Sequence, residues 1–394
     1  MRTGAWLTEA RIRSYSIIML AVMLAVFATM LVTRQGVLDW SGKPLGTDFS
    51  QVWIAGQSVL AGHPADPFDP ARHAAAQQAV FGQPDAFYGW HYPPYFLAMA
   101  ALLALMPYLL ALAVWQCSSF AFYLAVMHRI LPGGTALLAA AAFPAVFVNV
   151  GHGHNGFLTA GLLGGALLCL DTRPLLAGAL FALVAYKPQF GLVVPVALLA
   201  GGYWRTIASA TVTLGAMTAE TLWAWGLGPW RAFQASLNFT RTVVLEQGNT
   251  GWEKIQSTFA AMRMLGGSVG TAYAGQGVVT ALTLAALFWQ WRRGGDLRLR
   301  AAAVLAAALL TTPYCLDYDL MILGPALASL VAYGMQSGFR PWHATALAAI
   351  WAVPLVARAA AQHASVPLGL LSIALLFGLA MRQDVRAEAD IVPV

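Results

Sequence analysis

Charge is what this sequence has least of. Lys, Arg, Asp and Glu make up 10% of its 394 residues, 22 basic against 16 acidic. A soluble domain carries about 25%, so a water-facing surface over most of the chain is excluded. Cysteine is also scarce. Cys117, Cys169 and Cys315 are odd in number and widely spaced, which excludes a disulfide framework and a cysteine metal motif. No block of like charge is present. The basic excess is dispersed between apolar segments, as cytoplasmic loops require, and does not point to nucleic acid. Apolar residues are abundant instead: 59% of the chain is hydrophobic and the mean hydropathy is +0.66. Apolar runs of roughly 20 residues recur from end to end, the mark of an all-α polytopic membrane protein.

The first run, Ser14 to Val32, follows Arg2, Arg11 and Arg13. It is long and lacks a clear cleavage signature, so it is read as a span and not a removed signal. Residues 34–91 are polar and rich in Pro, Gly and Asp. The stretch between Pro94 and Pro107 is too short for a crossing of about 20 residues and is expected to lie in the outer interface. The exterior segment then runs over 34–107, with helices lying on the membrane. Further spans are expected near 108–128, 135–150, 156–171, 174–187, 189–203, 206–227, 272–291, 299–312, 319–336, 342–357 and 364–381. The pair 174–187 and 189–203 is short enough to be one broken helix pair. A second exterior loop covers 228–270. This gives about twelve spans in one domain over 1–394, with both termini cytoplasmic. Arg129, Arg173, Arg205, Arg292, Arg293, Arg298, Arg300, Arg340, Arg382 and Arg386 then lie inside, as the positive-inside rule asks.

This threading puts the polar motifs on one side. "GTDFSQVW", "GWHYPPY", "GHGHNG", "YKPQ" and "TTPYCLDYDL" all fall at exterior span ends. Asp48 precedes Phe49, Val52, Trp53, Gly56 and Leu60, a helical apolar spacing. Either Thr47 or Asp48 caps that helix, or Asp48 is a carboxylate held ready to take a proton. His152, His154 and Asn155 sit among glycines, as polar donors to a sugar or phosphate or as plain loop residues. No third metal ligand accompanies the His pair, and no DxD-type pair adjoins Asp48. Neither a metal site nor a cofactor is assigned. Lys187 interrupts an apolar stretch before Pro188. Intramembrane cations face a cavity or a partner, so Lys187 suits an anionic ligand group; snorkelling is the alternative. Arg241, Lys254 and Arg263 are basic groups on the outer side, against the general rule, and suit a lipid-phosphate head group or a solvated face. Tyr314, Asp317, Tyr318 and Asp319 offer hydrogen bonds to sugar hydroxyls, with helix capping as the plainer role for Asp317. His91, Tyr92 and Gln189 complete the candidate sugar and acceptor contacts.

The ordered set "GTDFSQVW", "YPPYFLAMAALLALMP", "GHGHNG", "RPLLAGALFALVAYKPQFGLVVPVALLAGGYW" and "TTPYCLDYDL" resembles glycosyltransferase family 87, from about Gly46 to Gly324. The resemblance implies a GT-C type fold and kinship with polyprenol-phosphate-mannose-dependent mannosyltransferases. It carries the catalytic base onto Asp48 and the "YPP" element onto Tyr92, Pro93 and Pro94. Two departures stand out. "GHGHN" replaces the more usual "GQN" at His154, and Tyr318 and Asp319 occupy the place of a His pair. The expected activity is transfer of a mannose-like hexose from a polyprenyl-phosphate donor to a lipid or glycan acceptor. It is expected at the periplasmic face of a bacterial inner membrane, with Lys187, Arg241 and Lys254 at the donor phosphate. A lipid or polysaccharide transporter and an O-antigen ligase or polymerase are the alternatives.

Overall fold

The computed structural model describes residues 1–82 and 87–382. Arg386 and the C-terminus therefore lie outside the described residues. Within them the chain is helical throughout, with isolated bridges at Gln35–Leu38, Leu38–Pro44 and Ile255–Leu316 in place of strands. Four helices are long and apolar enough to cross a membrane: Glu9–Val32, Tyr108–Ile130, Val269–Arg293 and the continuous run Asp317–Ser337. Two bent pairs raise the number to six. Gly134–Ala141 and Pro144–His152 meet at 46°, and His343–Leu355 and Ala357–Ala364 at 69°. Each bend has a proline at or near it, Pro144 and Pro354, where a backbone donor is lost. Shorter apolar helices lie at four of the other expected spans, Gly156–Cys169, Pro174–Tyr186, Pro188–Gly201 and Leu368–Met381, and the helices Trp204–Trp225 and Leu297–Leu310 stand at the expected 206–227 and 299–312.

The helix Leu297–Leu310 shows where the core lies. Its run Ala301 to Leu310 is buried on every side. It is alanine-rich and apolar all round, the pattern of a helix with no solvent or lipid face. It packs against Leu323–Ser337, Leu368–Met381 and Val269–Arg293. By contrast Glu9–Val32 leaves most of its surface open, with Ile18, Val22, Leu24 and Leu31 exposed. An apolar surface of that extent asks for a hydrocarbon solvent.

Turns at one end of the bundle share polar contacts. Tyr203 bonds Asp171 and Arg300, Arg298 reaches Ala332, and the backbone of Trp342 bonds Arg2. The motif-bearing turns meet at another end.

One of the expected boundaries shifts. The segment after 357 is helical over Ala357–Ala364 and turns away by 69°, so the last span begins at Leu368 and not at 364. The break at Lys187 matches the expected broken pair: a 3₁₀ turn, Val184–Tyr186, ends there, and Pro188 starts the next helical turn.

Candidate active site

The helix Thr47–Leu60 carries Asp48 in its first turn. Phe49, Val52, Ala55 and Gly56 bury one face. A methyl group at Gly56 would sit 2.1 Å from the Ala100 carbonyl oxygen, so only glycine lets this helix cross Tyr95–Ala104 so closely. Trp53 Nε1 donates to the Met106 carbonyl (2.9 Å) and Gln57 Nε2 to that of Ala104 (2.7 Å), which satisfies the carbonyl end of the shorter helix. Tyr108 Oη donates to the Leu45 carbonyl at 2.6 Å. Asp48 thus starts a helix whose position is fixed by packing and by three side-chain-to-backbone bonds.

Gly46 is the N-cap, at φ 66°, and no side chain caps the helix. This corrects the reading of Thr47 or Asp48 as the cap. Thr47 Oγ1 instead hydrogen-bonds His152 Nδ1 at 2.9 Å, and the nearer Asp48 carboxylate oxygen lies 3.9 Å from that same nitrogen. The Asp48 side chain is 19% exposed. Burial raises its proton affinity above the usual carboxylate range. The charge of His152 opposes that shift, Asp317 adds to it, and Lys254 and Lys187 oppose it.

A second glycine brings the two turns together. Gly153, at φ 63°, ends the helix Pro144–His152. A Cβ there would meet the Phe49 Cβ at 2.7 Å and the Gly46 Cα at 3.0 Å. Without glycine, His152 could not approach the start of the Asp48 helix. The turn is further held by Trp115 Nε1 on the Gly153 carbonyl (3.2 Å) and by Gln116 Nε2 on that of His154 (3.2 Å). The Gly156 amide donates to Asn149 Oδ1 (2.7 Å).

His154 lies face to face with the Tyr318 ring, centroids 3.5 Å apart, and its Nε2 is 3.1 Å from Tyr92 Oη. Burial, then the charges of Lys187 and His152, keep this imidazole neutral. Its Nδ1 and the neighbouring Asn155 Oδ1 are buried with no hydrogen-bond partner among the described residues. Lys187 Nζ donates to Asp319 Oδ1 at 2.6 Å, with side chains 5% and 1% exposed, and sits 5.2 Å from the Tyr318 ring centroid. The other Asp319 oxygen accepts the Leu316 amide at 3.0 Å. Asp317 Oδ1 accepts the Tyr318 amide at 2.9 Å, and Oδ2 faces Arg358 at 3.9 Å.

Asp48, Tyr92, His152, His154, Asn155, Lys187, Asp317, Tyr318 and Asp319 are therefore linked through shared contacts. The remaining candidates make no hydrogen bond or ion pair with that cluster among the described residues. His91 Nδ1 bonds Thr240 Oγ1 (2.8 Å), and Tyr314 Oη donates to the Thr240 carbonyl (3.0 Å). Both pin the π-helical turn Thr240–Glu246 of the second loop. Arg241 is 59% exposed, 3.5 Å from Glu246, and donates to Asn238. Gln189 is half-buried, and no hydrogen bond among the described residues joins its side chain to the cluster. Lys254 is half-buried on the turn Trp252–Lys254, and its charge acts on both Asp48 and Asp317. Arg358 escaped the reading of the sequence. The signal for it was there: one arginine at the end of an apolar run that the expected threading puts outside, against the positive-inside rule. A cavity of about 480 Å³ between Leu7, Tyr123, Phe143, Gly324 and Trp351 holds none of the cluster residues.

The cluster thus gathers a recessed carboxylate, aromatic faces and a buried, paired lysine at one end of an all-helical membrane protein. The model of glycosyltransferase family 87 matches residues 90–313, more than half of the chain, and the protein belongs to that family. It is a membrane glycosyltransferase. No curated protein and no solved structure matches the chain. The matched region includes Tyr92, His152, His154, Asn155, Lys187, Arg241 and Lys254. Asp48, Tyr314, Asp317, Tyr318, Asp319 and Arg358 fall outside it.

Proposed function

We propose that the protein transfers a hexose, mannose-like by family resemblance, from a polyprenyl-phosphate donor to a lipid or glycan acceptor, with Asp48 as general base. The observation that carries this reading is the uncommitted carboxylate. Asp48 caps no helix, makes no hydrogen bond among the described residues, and lies beside His152 at 3.9 Å with part of its surface open. Such a group accepts a proton. Its raised proton affinity brings it nearer to neutral pH, which suits a base.

A polyprenyl-phosphate sugar asks for little else. Its leaving group is a stable phosphate anion, so no acid need protonate it. Hydrolases use two carboxylates because their leaving oxygen needs a proton. Here the acceptor O–H gives its proton to Asp48, and its oxygen bonds the anomeric carbon. The bond from that carbon to the phosphate oxygen breaks, with the electron pair going to phosphate. Cations nearby stabilise that charge. His154 Nδ1 and Asn155 Oδ1 are the atoms that sugar hydroxyls or an ordered water would satisfy. Tyr318 and Tyr92 supply a face and a hydroxyl beside them.

The topology we favour has about twelve passages of GT-C type. The arginine-bearing turns face the cytoplasm, the site faces the periplasm of a bacterial inner membrane, and the N-terminus is inside. Support comes from the gathering of motif turns at one end and of Asp171, Tyr203, Arg298 and Arg300 at another. The test is Asp48→Asn in proteoliposomes supplied with polyprenyl-phosphate hexose. Transfer is expected to fall to background; transfer at the parent rate removes Asp48 from the base role.

A further inference from the structure

Cations at the site differ in how far they are already engaged. Lys187 is buried against Asp319 at 2.6 Å. Arg241 is tied to Glu246 and Asn238, and Arg263 to the Gly267 and Glu246 carbonyls and the Trp252 ring. Arg358 is different. It is 43% exposed, and the one partner it has among the described residues, Asp317 Oδ2, is 3.9 Å away, beyond hydrogen-bond range. Its five N–H donors are held near a buried acid without being used up by it.

Its place follows from the fold. The helix Ala357–Ala364 bends off the preceding span and packs on the turn Trp252–Lys254. The charges acting most strongly on Asp317 are His152, Arg358 and Lys254, and His152 is the neighbour of Asp48. Asp317 adjoins Tyr318, the ring that covers His154. Arg358 and Lys254 thus approach from the loop side the acid that lines the same cluster as Asp48.

We infer that Arg358, with Lys254, forms the subsite for a single phosphate group, and that Asp317 orients Arg358 toward it. This rests on the proposed transfer reaction and names the residues that hold its leaving group. Charge bookkeeping favours one phosphate over two. Lys187 and Asp319 cancel. Lys254 and Arg358 balance Asp48 and Asp317. A phosphodiester adds one negative charge. During transfer Asp48 takes the acceptor's proton and becomes neutral while the departing phosphate gains a negative charge, so the site's net charge stays constant through the step. A diphosphate or nucleotide donor would add still more negative charge to a group whose lysine and arginine charges are already matched by Asp48, Asp317 and Asp319. Planar guanidinium and ammonium groups are the usual partners of phosphate oxygens.

The experiment measures binding of long-chain polyprenyl monophosphate, polyprenyl diphosphate and uncharged polyprenol to the purified full chain in nanodiscs. The parent is expected to prefer the monophosphate over both. Arg358→Gln should lose roughly ten- to hundredfold in monophosphate affinity, the range of hydrogen bonds to charged groups, with polyprenol binding unchanged. Arg358→Lys should recover part of the loss, and Asp48→Asn should keep the preference. In transfer assays Arg358→Gln should raise the donor KM and leave the acceptor KM alone. Equal binding of monophosphate and polyprenol by the parent, or parent-like monophosphate binding by Arg358→Gln, overturns the inference. Should Arg358→Gln not fold, Lys254→Gln carries the same expectation and the same refutation. A parent that binds the monophosphate through Arg358 but transfers sugar only from a nucleotide donor sinks the proposed reaction and leaves the subsite standing.

Discussion

Lys187 gives the most direct separation of a ligand-binding cation from a structural one. The sequence offers it as a donor-phosphate contact; in the fold its ammonium lies 2.6 Å from Asp319, and the two side chains are 5% and 1% exposed. Removing one partner of such a pair leaves a buried, uncompensated charge, at a cost of about 3–5 kcal/mol. Replacing both by uncharged groups of similar volume is often close to neutral. Asp319 also accepts the Leu316 amide, so Asp319→Asn, which keeps an acceptor oxygen there, is the right second change. Lys187→Met should therefore destabilise strongly, and Lys187→Met with Asp319→Asn should recover most of the loss. The cycle is read from unfolding midpoints in detergent with a lipid-free sample, so that no donor contributes. A Lys187→Met variant as stable as the parent but with a raised donor KM would refute the argument. It would return Lys187 to the phosphate.

Other expectations follow from the same geometry. Asp48→Asn should lower turnover by about 10²–10⁴, the usual contribution of a positioned base, with unfolding midpoints near those of the parent. Because the base must be ionised and burial raises its proton affinity, kcat/KM should fall as pH drops, from a point above the ordinary carboxylate range. An acid limb at the value of a free aspartate would contradict this. Gly153→Ala puts a methyl group 2.7 Å from the Phe49 Cβ at φ 63°. Left-handed backbone costs an L-residue about 1–2 kcal/mol before any clash, so both stability and transfer should drop, whereas Gly151→Ala, with open space around it, should be mild. Tyr92→Phe removes the hydroxyl 3.1 Å from His154 and should weaken sugar use with little effect on folding; an unchanged donor KM would place the sugar elsewhere.

Much of the fold was legible because membrane helices announce themselves by composition. The expected spans near 108–128, 272–291 and 319–336 coincide with Tyr108–Ile130, Val269–Arg293 and Asp317–Ser337, and a proline after Lys187 is enough to break a helix there. The motif residues also converge, since span ends on one side of a small bundle have few places to go. What composition could not supply is pairing. Lys187 and Asp319 are 132 positions apart, and nothing local says that one neutralises the other. The cap at Gly46 was missed for a related reason. Asp is preferred to Gly as a cap and Thr is about its equal, but here Thr47 is drawn off by His152, 105 positions away. Arg358 was overlooked because a span expected over 342–357 runs straight through the bend at 356 that turns its helix toward the second loop.

These pairings also bear on what kind of machine the bundle is. A conduit needs polar groups in series across the membrane, yet the helix at the centre, Leu297–Leu310, is buried over Ala301 to Leu310 without a polar side chain. The buried charges Lys187, Asp317 and Asp319 stand at the same end as Asp48 and are held there by one another and by backbone amides. A buried ion pair is weak evidence for stability, so its value has to be sought elsewhere. Here it fixes Tyr318 between the ammonium of Lys187 and the ring of His154, and so keeps one wall of the cluster rigid; in the proposed reaction the second loop, with Lys254, supplies the side that admits the lipid-bound donor. Substituting Tyr318 by Leu should then cost transfer far more than it costs donor-phosphate binding; equal losses in both would show the wall and the phosphate subsite to be a single element.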